Sequence, residues 1–94
     1  MPEVVIEVLG PEPPCPRCSA ALYIVNKVVN RLGVRGSVEV VKKDINSDDV
    51  LDKYGVLISP AIAVNGEVKF QGRVPSEKEL EKLLRSFLSR DVQG

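Results

Sequence analysis

The sequence predicts an α/β fold: a mixed four-stranded sheet in the order β-α-β-α-β-β-α, with helices on both faces. Three observations carry this. A short β-branched run is followed by a long helical stripe and then a second β-rich run, a pattern that calls for a parallel pair joined by a right-handed crossover. Asn65-Gly66 lies between two further strand-like runs and is the strongest short hairpin signal, because a type I′ turn needs positive φ at both central residues. Ser76-Glu77-Lys78-Glu79 then reads as a capping box ahead of a last amphipathic stripe.

Taken in order, Val4 to Leu9 is apolar and β-branched apart from Glu7 and reads as a buried strand. Gly10-Pro11-Glu12-Pro13-Pro14 can continue neither strand nor helix and forms a stiff loop. Pro16 suits the first turn of a helix, where its missing N–H is not needed. From Pro16 to Leu32, Ala21, Leu22, Val25, Val28, Val29 and Leu32 keep helical spacing, Ile24 widens the stripe, and Gly33 supplies a stop. Ser37 to Lys43 is the second strand. Asp44 to Asp49 carries turn and N-cap chemistry for a short helix over Asp48 to Tyr54, ended by Gly55. Ala61 to Val64 is the third strand and Glu67 to Gln71, alternating polar and apolar, the fourth, at an edge. Gly72-Arg73-Val74-Pro75 breaks it. Leu80, Leu83, Leu84, Phe87 and Leu88 stripe the last helix, and Asp91 to Gly94 reads as a frayed tail.

Ninety-four residues make one domain over 1–94. Thirteen basic residues balance thirteen acidic ones, which leaves no electrostatic footprint for nucleic acid and no polybasic patch for a membrane surface. The absence of histidine excludes Ser-His and Cys-His catalysis and histidine-bearing metal sites. The N-terminus lacks the pattern of a secretory signal, and no run approaches the roughly 20 apolar residues of a membrane span. A soluble, cytoplasmic monomer is expected.

The chemistry is concentrated in Pro14-Cys15-Pro16-Arg17-Cys18, which holds both cysteines of the chain. Their spacing lets one turn of backbone bring the sulfurs together, and the start of a helix stabilises a thiolate through free N–H groups and the dipole. By its place before the helix, Cys15 is the nucleophile and Cys18, a turn inside, the resolving thiol. Arg17 either depresses the cysteine pKa and steers an anionic partner, or is simply solvated. Pro16 starts the helix and stiffens the turn. Glu7 is read as a partly exposed carboxylate near a strand end, with a buried proton-relaying acid as the alternative. Tyr23 and Tyr54 are read as packing residues.

These residues match a known family. A first strand, a CPxC sequence opening a long helix and a proline opening the third strand resemble the thioredoxin/glutaredoxin fold. Tyr54-Gly55-Val56-Leu57-Ile58-Ser59-Pro60-Ala61, Val64-Asn65-Gly66-Glu67 and Gly72-Arg73-Val74-Pro75-Ser76 resemble the short redox-active disulfide proteins of archaea and bacteria, from Val4 to about Leu88. The resemblance implies a cis Ser59–Pro60 peptide beside the cysteine pair, with the backbone of Ile58 and Ser59 accepting an extended substrate and Gly72 shaping a neighbouring turn. It also implies a thiol–disulfide oxidoreductase without a bound organic cofactor or metal, acting on disulfide-containing proteins. Its reductant would be a thioredoxin-reductase-like protein or a small thiol. The sequence departs from the family in its long proline-rich loop, in Ser59 where a threonine is usual, and in having no tryptophan before Cys15.

Two other readings use the same residues. The thiols could form half of a metal site, which needs about four ligands and would have to be completed by a dimer mate or partner. Alternatively the scaffold could be a binding module with incidental cysteines, since fold does not fix function.

Overall fold

A computed structural model of the chain describes residues 3–11, 16–34 and 36–92, with side chains up to Phe87. The elements are β1 (Val4–Gly10), α1 (Pro16–Leu32), β2 (Val38–Asp44), α2 (Asp48–Tyr54), β3 (Ala61–Val64), β4 (Glu67–Gln71) and α3 (Glu77–Val92). The strands form one sheet in the order β2-β1-β3-β4. β1 runs parallel to β2 from Val4↔Val38 to Gly10↔Asp44 and antiparallel to β3 from Ile6↔Val64 to Leu9↔Ala61. Interior strands covered on both faces need apolar residues on both sides, which is why β1 and β3 lack the alternation of the edge strand β4. A register shift in the β3–β4 pairing sets Ile62 against Phe70 but Ala63 against Val68, so Lys69 is the extra residue of a bulge.

Side chains alternate across the sheet. Val4, Ile6, Val8, Ile62 and Val64 meet the buried stripes of α1 (Ala21, Val25, Val28, Val29) and α3 (Leu80, Leu84) on one face. Leu9 and Ala61 meet Ile45 and Val50 on the other, beneath α2. Each of the valine, leucine and isoleucine side chains among them contributes about 1.5–3 kcal/mol when fully buried. The two clusters thus hold helices to both faces, as expected.

The element ends follow their sequence signals. Asn65 (φ 51°) and Gly66 (φ 84°) make the hairpin turn. The Asn65 side chain also accepts from the Val5 N–H at 2.8 Å, tying the hairpin to β1. Ser47 caps α2 through the Val50 N–H, and Gly55 ends it at φ 78°. At α3 the Ser76 hydroxyl accepts from the Glu79 N–H while the Glu79 carboxylate accepts from the Ser76 N–H. Arg73 adds two donors to the same carboxylate. Hydrogen bonds first from Arg73 and then from Ser76 hold the Glu79 carboxyl down at about 2.

Three expectations are corrected. The α3 backbone continues through Asp91 and Val92, so of the expected frayed tail only Gln93 and Gly94 remain, outside the described residues. Tyr23 does not pack into the core but lies 63% exposed, with the Lys27 ammonium 5.9 Å from its ring centroid. Glu7 is not a partly exposed strand-end residue: it is 5% exposed on the α2 face of β1. Tyr54 donates a hydrogen bond to one of its oxygens, Lys43 pairs with the other at 3.0 Å, and Lys53 approaches at 3.9 Å. A buried carboxylate needs such partners.

Burial pushes the Glu7 carboxyl up, but the hydrogen bonds from Tyr54 and Lys43 and the charges of both lysines outweigh it and hold it below its ordinary value. A carboxyl lowered on folding contributes stability above its unfolded pKa, and that contribution is lost as pH falls through the folded value. Stability is therefore expected to fall as pH drops below about 4.5, and this part of the profile should flatten in Glu7→Gln, as read by urea melts across pH. Glu7→Ala should cost about 2 kcal/mol, less than the roughly 3–5 kcal/mol of a fully buried pair because the half-exposed lysines can turn into water. Tyr54→Phe should cost about 1 kcal/mol.

Candidate active site

The site forms where β1 ends and α1 begins. Pro16 opens α1 and is exposed, as is Arg17, whereas Cys18 is buried. Cys15 lies outside the described residues; in the chain it directly precedes Pro16. The first turn of α1 carries no acidic side chain, so no carboxylate there opposes a thiolate at the positive end of the helix dipole.

Cys18 rests on Gly10. A Cβ built on Gly10 would stand 2.7 Å from the Cys18 sulfur and 3.0 Å from its Cβ. Gly10, assigned to the loop by its proline-rich surroundings, is the last residue of β1 and allows the first turn of α1 to seat on the sheet. Sequence reading missed this role, because nothing local separates a glycine that ends a strand from one that starts a loop.

The second wall is the segment between α2 and β3. The Ser59–Pro60 peptide is cis, as the resemblance implies, and Pro60 is buried. The antiparallel register pairs Leu9 with Ala61, so the adjoining residues Gly10 and Pro60 are neighbours. That brings Pro60 alongside the first turn of α1. Val56 and Ile58 expose 91% and 66% of their surface nearby in the chain.

Gly72, just past β4, holds this segment in place. Its N–H donates to the carbonyls of both Ile58 and Pro60 at 3.0 Å. Its φ of 76° is in the left-handed region, and a Cβ there would meet the Ile58 side chain at 3.1 Å, so both conformation and space require glycine. The Gln71 side-chain oxygen accepts from the Ile58 N–H at 3.1 Å. Both backbone groups of Ile58 are thus engaged within the chain, while no hydrogen bond among the described residues takes the Ser59 amide or carbonyl. Arg17 is not simply solvated: its guanidinium donates to the Gly72 carbonyl at 2.9 Å. The site therefore gathers Pro16, Arg17, Cys18, Ile58, Ser59, Pro60 and Gly72. Gly10 and Gln71 are additions. Among the described residues no cluster of three or more histidine, cysteine or acidic side chains is arranged to hold a metal ion.

Gly10→Ala should cost about 1–3 kcal/mol through overpacking against Cys18, seen as a lower urea midpoint at unchanged slope. Gly36→Ala, with nothing within 4 Å of the added methyl, should stay within about 0.5 kcal/mol of the parent. Equal midpoints for the two variants would contradict the close seating of α1 on β1.

Comparison with known proteins places the chain in a family. A family model described as a thioredoxin domain matches residues 4–85. A probable thioredoxin of Methanothermobacter thermautotrophicus is 36% identical over 68 residues, which cover 72% of this chain and 78% of the relative. A thioredoxin of Methanocaldococcus jannaschii is 33% identical over 88 residues, covering 94% of this chain and 100% of the relative. The oxidised thioredoxin of Plasmodium falciparum superposes with a TM-score of 0.63 at 18% identity, over 92% of this chain and 82% of that one, a likeness of fold. The chain belongs to the thioredoxin family, whose members are thiol–disulfide oxidoreductases.

Proposed function

We propose that the chain transfers electrons to protein disulfides by cycling Cys15 and Cys18 between dithiol and disulfide. The observation that carries this reading is the meeting of the α1 start, with Cys18 buried on Gly10, and the Pro60 turn. The Cys15 thiolate attacks one sulfur of the substrate disulfide. A Cys15–substrate disulfide forms, the substrate S–S bond breaks, and the first substrate sulfur leaves as a thiolate that takes up a proton. Cys18, having lost its proton, attacks the Cys15 sulfur, closes the Cys15–Cys18 disulfide and releases the second substrate thiolate. The substrate gains two electrons and the protein loses two. A dithiol reductant, either a small thiol or a thioredoxin-reductase-like protein, restores the starting state by the reverse exchange.

Each wall has a part in this scheme. Free N–H groups and the dipole at a helix start favour a thiolate, which is the ground for giving Cys15, directly before Pro16, the nucleophile's part. Burial of Cys18 keeps it from solvent oxidants and from competing for substrate. The Ser59 amide and carbonyl are offered to the backbone of an extended substrate segment, as in strand addition. Ile58, its own backbone engaged, offers its exposed side chain instead.

With dithiothreitol as reductant and insulin as the protein disulfide, the parent should reduce insulin catalytically and Cys15→Ser should not. Cys18→Ser should accumulate a mixed disulfide through Cys15, visible as a mass adduct released by excess thiol. Undiminished turnover by Cys15→Ser, or an adduct carried by Cys18 instead, would contradict the assignment.

A further inference from the structure

Resting on the exchange activity proposed above, we infer that Arg17 is a positioning residue that sets the spacing between the first turn of α1 and the Pro60 turn, and so the fit of an extended protein disulfide. Arg17 stands where a cation is disfavoured, in the first turn of a helix whose dipole is positive there. That turn holds no acidic side chain to compensate it. What engages the guanidinium is the Gly72 carbonyl at 2.9 Å, across fifty-five residues of chain. Gly72 is in turn bonded through its N–H to the Ile58 and Pro60 carbonyls, and Gln71 beside it holds the Ile58 N–H. The end of β4 is therefore a hub gripping the Pro60 segment with three hydrogen bonds, and Arg17 ties that hub to the helix bearing Cys18.

The geometry suits a strut better than a steering charge. A planar guanidinium on a long stem can reach a carbonyl and keep a fixed orientation, and its partner here is neutral. The neighbouring cation, Arg73, is spent on Glu79 through two bonds at 3.0 and 2.8 Å. Arg17 is exposed and not part of either core cluster, so its removal leaves the packed interior intact. The consequence falls on substrates that must lie along both walls at once.

The test is steady-state reduction of insulin by the parent, Arg17→Met and Arg17→Lys at low salt and at 0.5 M salt, with KM and kcat resolved. Arg17→Met should raise KM about fivefold, the scale of one lost hydrogen bond, while kcat changes by less than about twofold. The rise should persist at high salt, because a bond to a neutral carbonyl is not a screened long-range attraction. Arg17→Lys, which keeps a donor, should recover part of it. An unchanged KM in Arg17→Met overturns the inference, as does a KM effect that vanishes at 0.5 M salt, which would make Arg17 a steering charge. An active parent with unaltered variants defeats the Arg17 inference alone; a parent that reduces no insulin defeats the exchange reading and this inference with it.

Discussion

The site depends on one close approach: the sulfur-bearing turn of α1 pressed onto the bare backbone of Gly10. A methyl group at Gly10 would lie 2.7 Å from the Cys18 sulfur, so α1 can pack this low only if β1 ends in glycine. β1 is also bonded to a neighbour on each side, to β2 as far as Gly10 and to β3 as far as Leu9, so the strand that leads to α1 is held in the interior of the sheet. The same register places Pro60, ahead of β3, next to Gly10. The first turn of α1, with Cys18 in it, and the Pro60 turn thereby become neighbours through ordinary strand pairing.

Polar groups are distributed around this point in a consistent way. On the α2 face, Glu7 is fully committed to Tyr54, Lys43 and Lys53. Alternation along β1 puts its side chain opposite to that of Val8, which packs with α1. Glu7 is accordingly a charged anchor for α2 and β2. On the site side, the backbone bonds of the Pro60 segment run to Gln71 and Gly72, and none among the described residues takes the Ser59 amide or carbonyl. Rigid walls around a few open donors and acceptors are what binding a flexible segment requires, since order already present in the protein need not be created on binding.

Much of this was legible in the sequence because the signals were local. The type I′ turn at Asn65-Gly66, the reciprocal cap of Ser76 and Glu79, the stop at Gly55 and the stripe of α1 each follow from a few adjacent residues. The cis Ser59–Pro60 peptide was legible only by resemblance, since an X–Pro bond is cis in about 5–6% of cases. What escaped was long-range. Glu7 meets residues from β2 and α2, Arg17 meets a carbonyl 55 positions away, and the role of Gly10 exists only once Cys18 is above it. Tyr23 was misjudged because an aromatic residue in an amphipathic helix can cover a lysine as readily as enter the core. No periodicity reports which of these happens.

The most direct measurement is the reduction potential of the Cys15–Cys18 pair, obtained by equilibrating the protein in buffers of defined dithiol-to-disulfide ratio and quantifying its thiols. A helix-start thiol pair beside an open substrate turn should give a reversible two-electron transition between roughly −300 and −180 mV, the span of exchange proteins. A value near the lower end would mark the proposed reductant of partner disulfides, and one near the upper end would mark an oxidant or isomerase and contradict the proposed direction of transfer. No reversible transition in that span would contradict the account, because the two cysteines would then not operate as an exchanging pair.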